Sequence, residues 1–319
     1  MAFERRSLTR DDVEAIARRH RTWARWGVDD ELGAANNVTP ARVVAAAREI
    51  QRGAVFSLAL PMDQTGPMMG INGRVNPLHV MLRTGADVLA DPEETGDIRV
   101  TDDAVYMPLQ SSTQWDALAH IMYKGESYNG RGYADVTSAG AKHNSVINLK
   151  DRAVGRGVLL DIPRWAGLPW LEPGEVIQAD DLEACAAHQG VEVGEGDFLL
   201  VRTGHLALTR KTGDWGTYCM GTSPGLGVGA ADFLCPRGVA GIVTDTWGIE
   251  AIPYECAELR APLHVVLLVN AGVHIGEMWD LEALAADCAG DGRWSFFLAA
   301  QPLTITGAVG SPINPLAIK

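Results

Sequence analysis

From residue 54 onward the apolar residues come in short, β-like runs: "AVFSLAL", "HVMLR", "AVYMPL", "GVLLDI", "DFLLVRT", "GIVTD", "HVVLLV", "WSFFLAA" and "LTIT". Before that point the pattern is helical. "TRDDVEAIARRHRTWARW" reads as one helix with Thr9 or Asp11 as its cap, and "TPARVVAAAREIQ" as a second, with Thr39 capping and Pro40 in the first turn. The turn-rich "GVDDELGAANN" joins them. Further helical patterns at "ADDLEACAAHQ", "GVGAADFLCPRG" and "DLEALAADC" each stand beside a strand-like run, which favours an α/β fold with a mixed sheet over an all-β one. No linker or repeat interrupts the chain. The expectation is a single structural unit, with a helical segment over 1–52 packing on a core formed by 53–319.

Composition narrows the class. The chain has 319 residues, 47% of them hydrophobic, enough for a large core, and a net charge of −13 with no basic stripe. Nucleic acid and anionic membrane surfaces are thereby poor partners, and a small molecule is the expected one. Runs such as "VVLLV" fall far short of the roughly 20 residues that cross a bilayer. "MAFERRSLTRDD" is too charged for a signal-peptide core, which points to the cytoplasm. Cys185, Cys219, Cys235, Cys256 and Cys288 contain no C-x-x-C pair, so buried, inert thiols are expected rather than disulfides or a thiolate zinc site.

The densest chemistry lies in "LQSSTQWDALAH", residues 109 to 120, where Asp116 and His120 stand four apart beside Gln110 and Gln114. "DDAVYMPLQ" alternates like a strand leading into it, so the cluster is expected where a sheet ends. Of the eight histidines, His20 and His188 fall in charged helical patterns that read as solvated faces. His264 opens "HVVLLV", apolar enough for a central strand, and "GVHIGE" brings Glu277 thirteen residues later, so the two side chains can point into one cavity.

Two other motifs are weaker. "GTSPG" matches G-x-S-x-G, with Ser223 as nucleophile and Asp245 and His264 or His274 following, but no apolar strand precedes it and Pro224 replaces the start of a helix. "GLGVGA" loosely fits a dinucleotide-binding loop, yet no strand feeds it.

The spacing of "QSSTQWDALAH" resembles H-x-G-T-H-x-D-x-x-x-H, the metal motif of the cyclase family that includes bacterial kynurenine formamidase and isatin hydrolase. Thr113, Asp116 and His120 are kept, and Gln110 and Gln114 stand at the two early histidines. "RWGVDDELGAANNVTP", "SYNGRGY", "VGRGVLLDIPR", "LHVVLLVNAGVHIGEMWDLEAL" and "PLTITGAVGSPINPLAI" look like that family's blocks in their usual order, so the resemblance covers nearly the whole chain. Among the relatives, lactone-opening enzymes such as trans-dienelactone hydrolase resemble the glutamine-bearing motif more closely than the formamidases do.

What the resemblance implies is a swivelling β/β/α fold with a partly barrel-like sheet flanked by helices, and a divalent metal, zinc or manganese, held by Asp116, His264 and Glu277. His120 would be the acid/base, while Gln110 and Gln114 would be weak ligands or substrate contacts, amide oxygens binding zinc less well than imidazole. The implied activity is hydrolysis of a small lactone or amide by attack of a metal-activated water, in a homodimer or homotetramer. Trp115, Tyr128, Trp26 and Trp23 are candidate walls for a flat substrate. Two rival classes remain: a metal-poor small-molecule binding protein of the same fold, and a serine hydrolase using Ser223.

Overall fold

The computed structural model describes residues 3–90 and 98–319. A nine-stranded mixed sheet curls into half a barrel, in the order Val55–Ser57, Leu316–Ile318, Ser295–Ala299, Val154–Asp161, Phe198–Arg202, Gly241–Thr244, His274–Glu277, Gln114–Asp116, Gly310–Pro312. The four strands from Val154–Asp161 to His274–Glu277 run parallel, and the flanking pairs are antiparallel. Val158, Leu160, Leu199, Val201 and Ile242 bury one face of the parallel centre, and Leu159, Phe198, Leu200 and Val243 the other. Burial on both faces explains why these strands read as continuous apolar runs rather than alternations. The expected mixed α/β, partly barrel-like architecture is the one found.

The N-terminal helix Arg10–Arg19 starts at Thr9 in a capping box with Asp12, and buries Val13 and Ala17. It stops seven residues before the sequence pattern does. After His20 the chain bonds to other elements instead of to itself: the Thr22 amide donates to Asn270 O (3.0 Å) and the Trp23 indole to Val269 O (2.7 Å). His20 is not on a solvated face. Its Nε2 lies 2.7 Å from Asp232 Oδ1, whereas His188 is exposed as expected. Thr39 caps Pro40–Ala46 as the sequence indicates.

Three expectations about strands give way. "HVVLLV" is helical: a turn Pro262–His264 continues into a widened, π-type helix Val265–Ala271, every residue of which is buried. An all-apolar run carries no periodicity to separate a buried helix from a buried strand. "LTIT" forms no strand, and the short Gly310–Pro312 and Leu316–Ile318 pair in its place. Finally, Asp102–Tyr106 does not lead a sheet into the polar cluster. It pairs with Leu78–Arg83 in a separate ribbon, while Gln114–Asp116 is itself a strand of the main sheet.

That last strand positions the site through the two-residue alternation of side chains. Gln114 lies opposite Glu277, Asp116 opposite Ile275 and Trp115 opposite Gly276, so Gln114, Asp116 and Glu277 share one face and Trp115 takes the other. There Trp115 is fully buried between Phe198 and Trp279, and its indole donates to Ala300 O at 2.7 Å. A Cβ on Gly276 would come within 3.1 Å of the Trp115 ring and 2.8 Å of Val243, so only glycine fits beside it.

Candidate metal centre

Three elements converge on the polar face. The strand Gln114–Asp116 supplies Asp116, the neighbouring His274–Glu277 supplies Glu277, and the turn Pro262–His264 supplies His264. Their ligand atoms all lie within 4.8 Å of one another, and all three residues are buried. Among the described residues no lysine or arginine makes an ion pair with Asp116 or Glu277; His264 Nε2 stands 3.2 Å from Glu277 Oε1. The other ring nitrogen, Nδ1, lies 2.5 Å from Glu250 Oε1, which also accepts the His264 backbone N–H at 3.0 Å. Glu250 therefore fixes the ring and leaves Nε2 facing the carboxylates, the arrangement that orients histidine ligands in metal sites.

The protonation pattern follows from burial. Desolvation, with the Glu277 charge beside it, drives Asp116 well above the usual carboxylate range. Burial also opposes the charge of Glu277, but the hydrogen bond and charge of His264 hold it below its ordinary value. His264 would be lowered by burial alone, yet Glu250 and Glu277 push it up to about 10. His264 thus holds a proton where a cation would sit, and a metal requires that ring deprotonated.

Gln114 supports the fit. Its Nε2 lies 3.3 Å from Asp116 Oδ1 and 3.1 Å from Glu277 Oε2, while its buried Oε1 has no partner. Turning the amide by half a rotation presents that oxygen to the same point, so a hard cation there satisfies the orphaned atom. Gln110 flanks the group without joining it. Its carboxamide packs over Gly310 with Nε2 unpartnered, it makes no hydrogen bond to Asp116 or Glu277, and it does not line the cavity.

The cluster forms the base of a cavity of about 490 Å³, whose wall includes Arg74, His120, Trp247, Tyr254 and Arg260. His120 Nε2 is 3.8 Å from Asp116 Oδ1 and 3.4 Å from Arg74 Nη2. Burial, and then the Arg74 charge, push its pKa down to about 4, so the ring is neutral near pH 7.

The expected aromatic walls are elsewhere. Trp115 faces the core on the far side of its strand. Tyr128 is fully buried with its hydroxyl on Asp30 Oδ2 (3.0 Å), and Trp26 and Trp23 pack against the core under Arg25 and Arg21. The aromatic groups that do line the cavity, Trp247, Tyr254 and Tyr123, come from loops without periodic signal. Arg74 and Glu250 were missed for the same reason: each is a lone charge in a loop, with meaning only through its neighbours.

The serine reading is not assembled. Ser223 Oγ is buried without any hydrogen-bond partner, and Asp245 accepts from the Thr203 amide and hydroxyl (both 2.7 Å) and from the Gly204 amide. His264 is held by glutamates, and His274 Nε2 sits 3.2 Å from Leu32 O. The five cysteines are free, as expected. Burial raises Cys219 and Cys235 to about 12 and Cys288 to about 11, far from thiolate reactivity.

Comparison with known proteins agrees with this fold. Residues 56–251 match the Cyclase family model, described as Putative cyclase. The chain belongs to that family. The crystal structure of a novel cyclase shares 44% identity over 94% of this chain and 99% of its own, with a TM-score of 0.87. Isatin hydrolase A from Ralstonia solanacearum has the same fold at 20% identity, covering 88% of this chain and 97% of its own (TM-score 0.63). A predicted metal-dependent hydrolase from Bacillus stearothermophilus is likewise similar at 20% identity over 84% of this chain and 98% of its own (TM-score 0.51). No protein with a curated description matches the sequence.

Proposed function

We propose that the protein is a metal-dependent hydrolase that opens a small lactone or amide. The convergence of Asp116, His264 and Glu277 within 4.8 Å at the base of the cavity carries this reading. A divalent ion, zinc or manganese, would be held by these three and by the Gln114 carboxamide oxygen. When bound it supplies a Lewis acid that polarises a carbonyl and lowers the pKa of water.

The protein's own groups do the rest. Glu250 holds the His264 ring with Nε2 presented to the site. His120, neutral and on the cavity wall, accepts a proton from the attacking water and returns it to the departing oxygen or nitrogen. The Ile121, Met122, Leu259 and Val265 side chains exclude bulk water around the reacting bond. The product is a carboxylic acid.

A homo-oligomer belongs to the same proposal. The ribbon of Leu78–Arg83 and Asp102–Tyr106 exposes Leu78, Val80, Met81, Leu82, Val105 and Tyr106, and an isolated two-stranded ribbon is marginal in water unless something packs on it. A second copy of the chain is the partner proposed. Among the described residues no helix is long and apolar enough to cross a membrane.

Elemental analysis combined with chelation tests the function. Purified protein should carry a divalent metal, lose lactone or arylformamide hydrolysis on dialysis against chelator, and regain it with zinc or manganese. Full turnover by metal-free protein, abolished by Ser223→Ala, would restore the serine mechanism. Ligand binding with neither metal nor turnover would mark a binding protein.

A further inference from the structure

The cavity wall carries two guanidinium groups that the fold leaves without a carboxylate. Arginines here ordinarily find one: Arg19, Arg42, Arg156, Arg202 and Arg210 each reach an aspartate or glutamate within 2.8 Å. With 40 acidic against 27 basic residues, partners are in excess. Arg74 nevertheless makes only long contacts, Nη1 to Gln110 O and Nη2 to His120 Nε2, both 3.4 Å. Arg260 reaches the Met220 sulfur at 3.7 Å and the Tyr254 hydroxyl. Among the described residues neither makes a salt bridge, and both line the cavity that holds Asp116, His264 and Glu277.

The backbone holds both in place. Arg74 closes the turn Ile71–Gly73, in which Asn72 (φ 54) and Gly73 (φ 74) are left-handed; its N–H donates to Ile71 O at 2.9 Å, and Met69 bridges Val75 across the turn. Arg260 precedes Ala261, a non-glycine residue at φ 51 that begins the turn bearing His264. Left-handed alanine costs about 1 kcal/mol or more, and such conformations persist where surrounding structure enforces them. Trp247 adds a donor to the same wall. It is buried, and its indole N–H has no partner.

We propose that Arg74 and Arg260 determine specificity by binding a carboxylate on the substrate, so that the enzyme selects an anionic lactone or amide over its neutral counterpart. The inference rests on the hydrolase reading for the scissile bond and on the unpaired arginines for the anion. The charges agree. Asp116 and Glu277 contribute −2 and are offset by a divalent ion, which leaves the two guanidinium groups as net positive charge that attracts an anion. Each planar fork matches a carboxylate, and a charge-assisted bond in a partly dry cavity is stronger than the long contacts it would replace. The apolar Ile121, Met122 and Leu259 side chains on the same wall suit the uncharged body of such a molecule.

Calorimetric titration of phenylacetate and of neutral phenylacetamide tests this, with metal content measured on every sample. Phenylacetate should bind at least about tenfold more tightly than the amide, and Arg74→Gln and Arg260→Gln should each weaken it by about tenfold or more without altering amide binding or metal content. Arg74→Lys, which keeps the charge and loses the fork, should lose less and guards against a misfolded glutamine variant. Equal affinity for the two probes overturns the proposal, as does failure of both to bind at millimolar concentration. Acid binding that survives both glutamine substitutions also overturns it, because the carboxylate is then on the metal. Protein that takes up no metal and shows no turnover yet prefers the acid through Arg74 would sink the hydrolase reading and leave the anion site standing, whereas a metal-loaded hydrolase indifferent to both arginines does the reverse.

Discussion

Two acidic clusters in this molecule are built on opposite terms. Around Arg202, Asp161 and Glu282 are matched to a permanent cation: Nη1 donates to Asp161 Oδ1 at 2.8 Å, Nε and Nη2 to the two Glu282 oxygens at 2.8 and 2.9 Å, and Arg164 takes the remaining Asp161 oxygen at 2.9 Å. Around His264, the Asp116 and Glu277 carboxylates are hydrogen-bonded by one imidazole and one glutamine amide, and the Gln114 carbonyl is left without a partner. The first cluster is satisfied by its own side chains and reads as structure. The second is complete only when something external is added, and that incompleteness separates a candidate site from a buried ion pair.

The sharpest way to break this contrast is to remove one charge from each cluster and compare the losses. Glu277→Gln should abolish metal retention and lower turnover by on the order of a thousandfold, since several kcal/mol of charge stabilisation go with the ion, while the melting temperature holds or rises. Metal stoichiometry, rate and thermal unfolding on one sample decide it. Arg202→Met should do the opposite. It strands Asp161 and Glu282 and should cost roughly 3–5 kcal/mol in urea unfolding, with metal binding by the surviving folded protein unchanged.

His205 extends the comparison to a buried base that has no partner at all. Both ring nitrogens are unbonded, the ring stacks on Tyr218 at 5.1 Å, and burial lowers its pKa to about 4. The unfolded chain takes up this proton near pH 6.5 and the folded chain only near 4. The neutral ring's contribution is therefore complete above pH 6.5 and is lost as pH falls toward 4, by up to roughly 3 kcal/mol. His205→Phe, which keeps the stack without the titration, should flatten stability against pH across that window. A smaller effect is expected at Glu250, which touches the site only through His264. Glu250→Gln should weaken metal affinity by about 10–100-fold without abolishing it. A loss as complete as that of Glu277→Gln would make Glu250 a ligand in its own right.

Much of the site was legible because its residues are chemically rare in their settings. Asp116 and His120 stood out as a reactive pair four apart in an otherwise apolar neighbourhood, and Glu277 through its spacing from His264. Which neighbours shared the face was not legible. The apolar run after His264 offered no period to tell helix from strand, and Trp115 looked like a substrate wall until the strand's alternation turned it into the core. Arg74, Trp247, Tyr254 and Arg260 line the cavity from loops far apart in the chain, and no local pattern marks such a meeting.

The sequence by itself determined the α/β class and carried the family resemblance, which implied the three residues that converge, because these depend on local periodicity and on the identity and order of a few motif residues. The tertiary structure alone decided that Glu250 orients His264, that Gln114 joins the carboxylates while Gln110 stands aside, and that two arginines face the cavity without partners. The physical reason is the same in each case. Burial, an unsatisfied atom and an unpaired charge are relations between residues far apart in the chain, 186 positions for Arg74 and Arg260, and they come into being only when the sheet closes the distance.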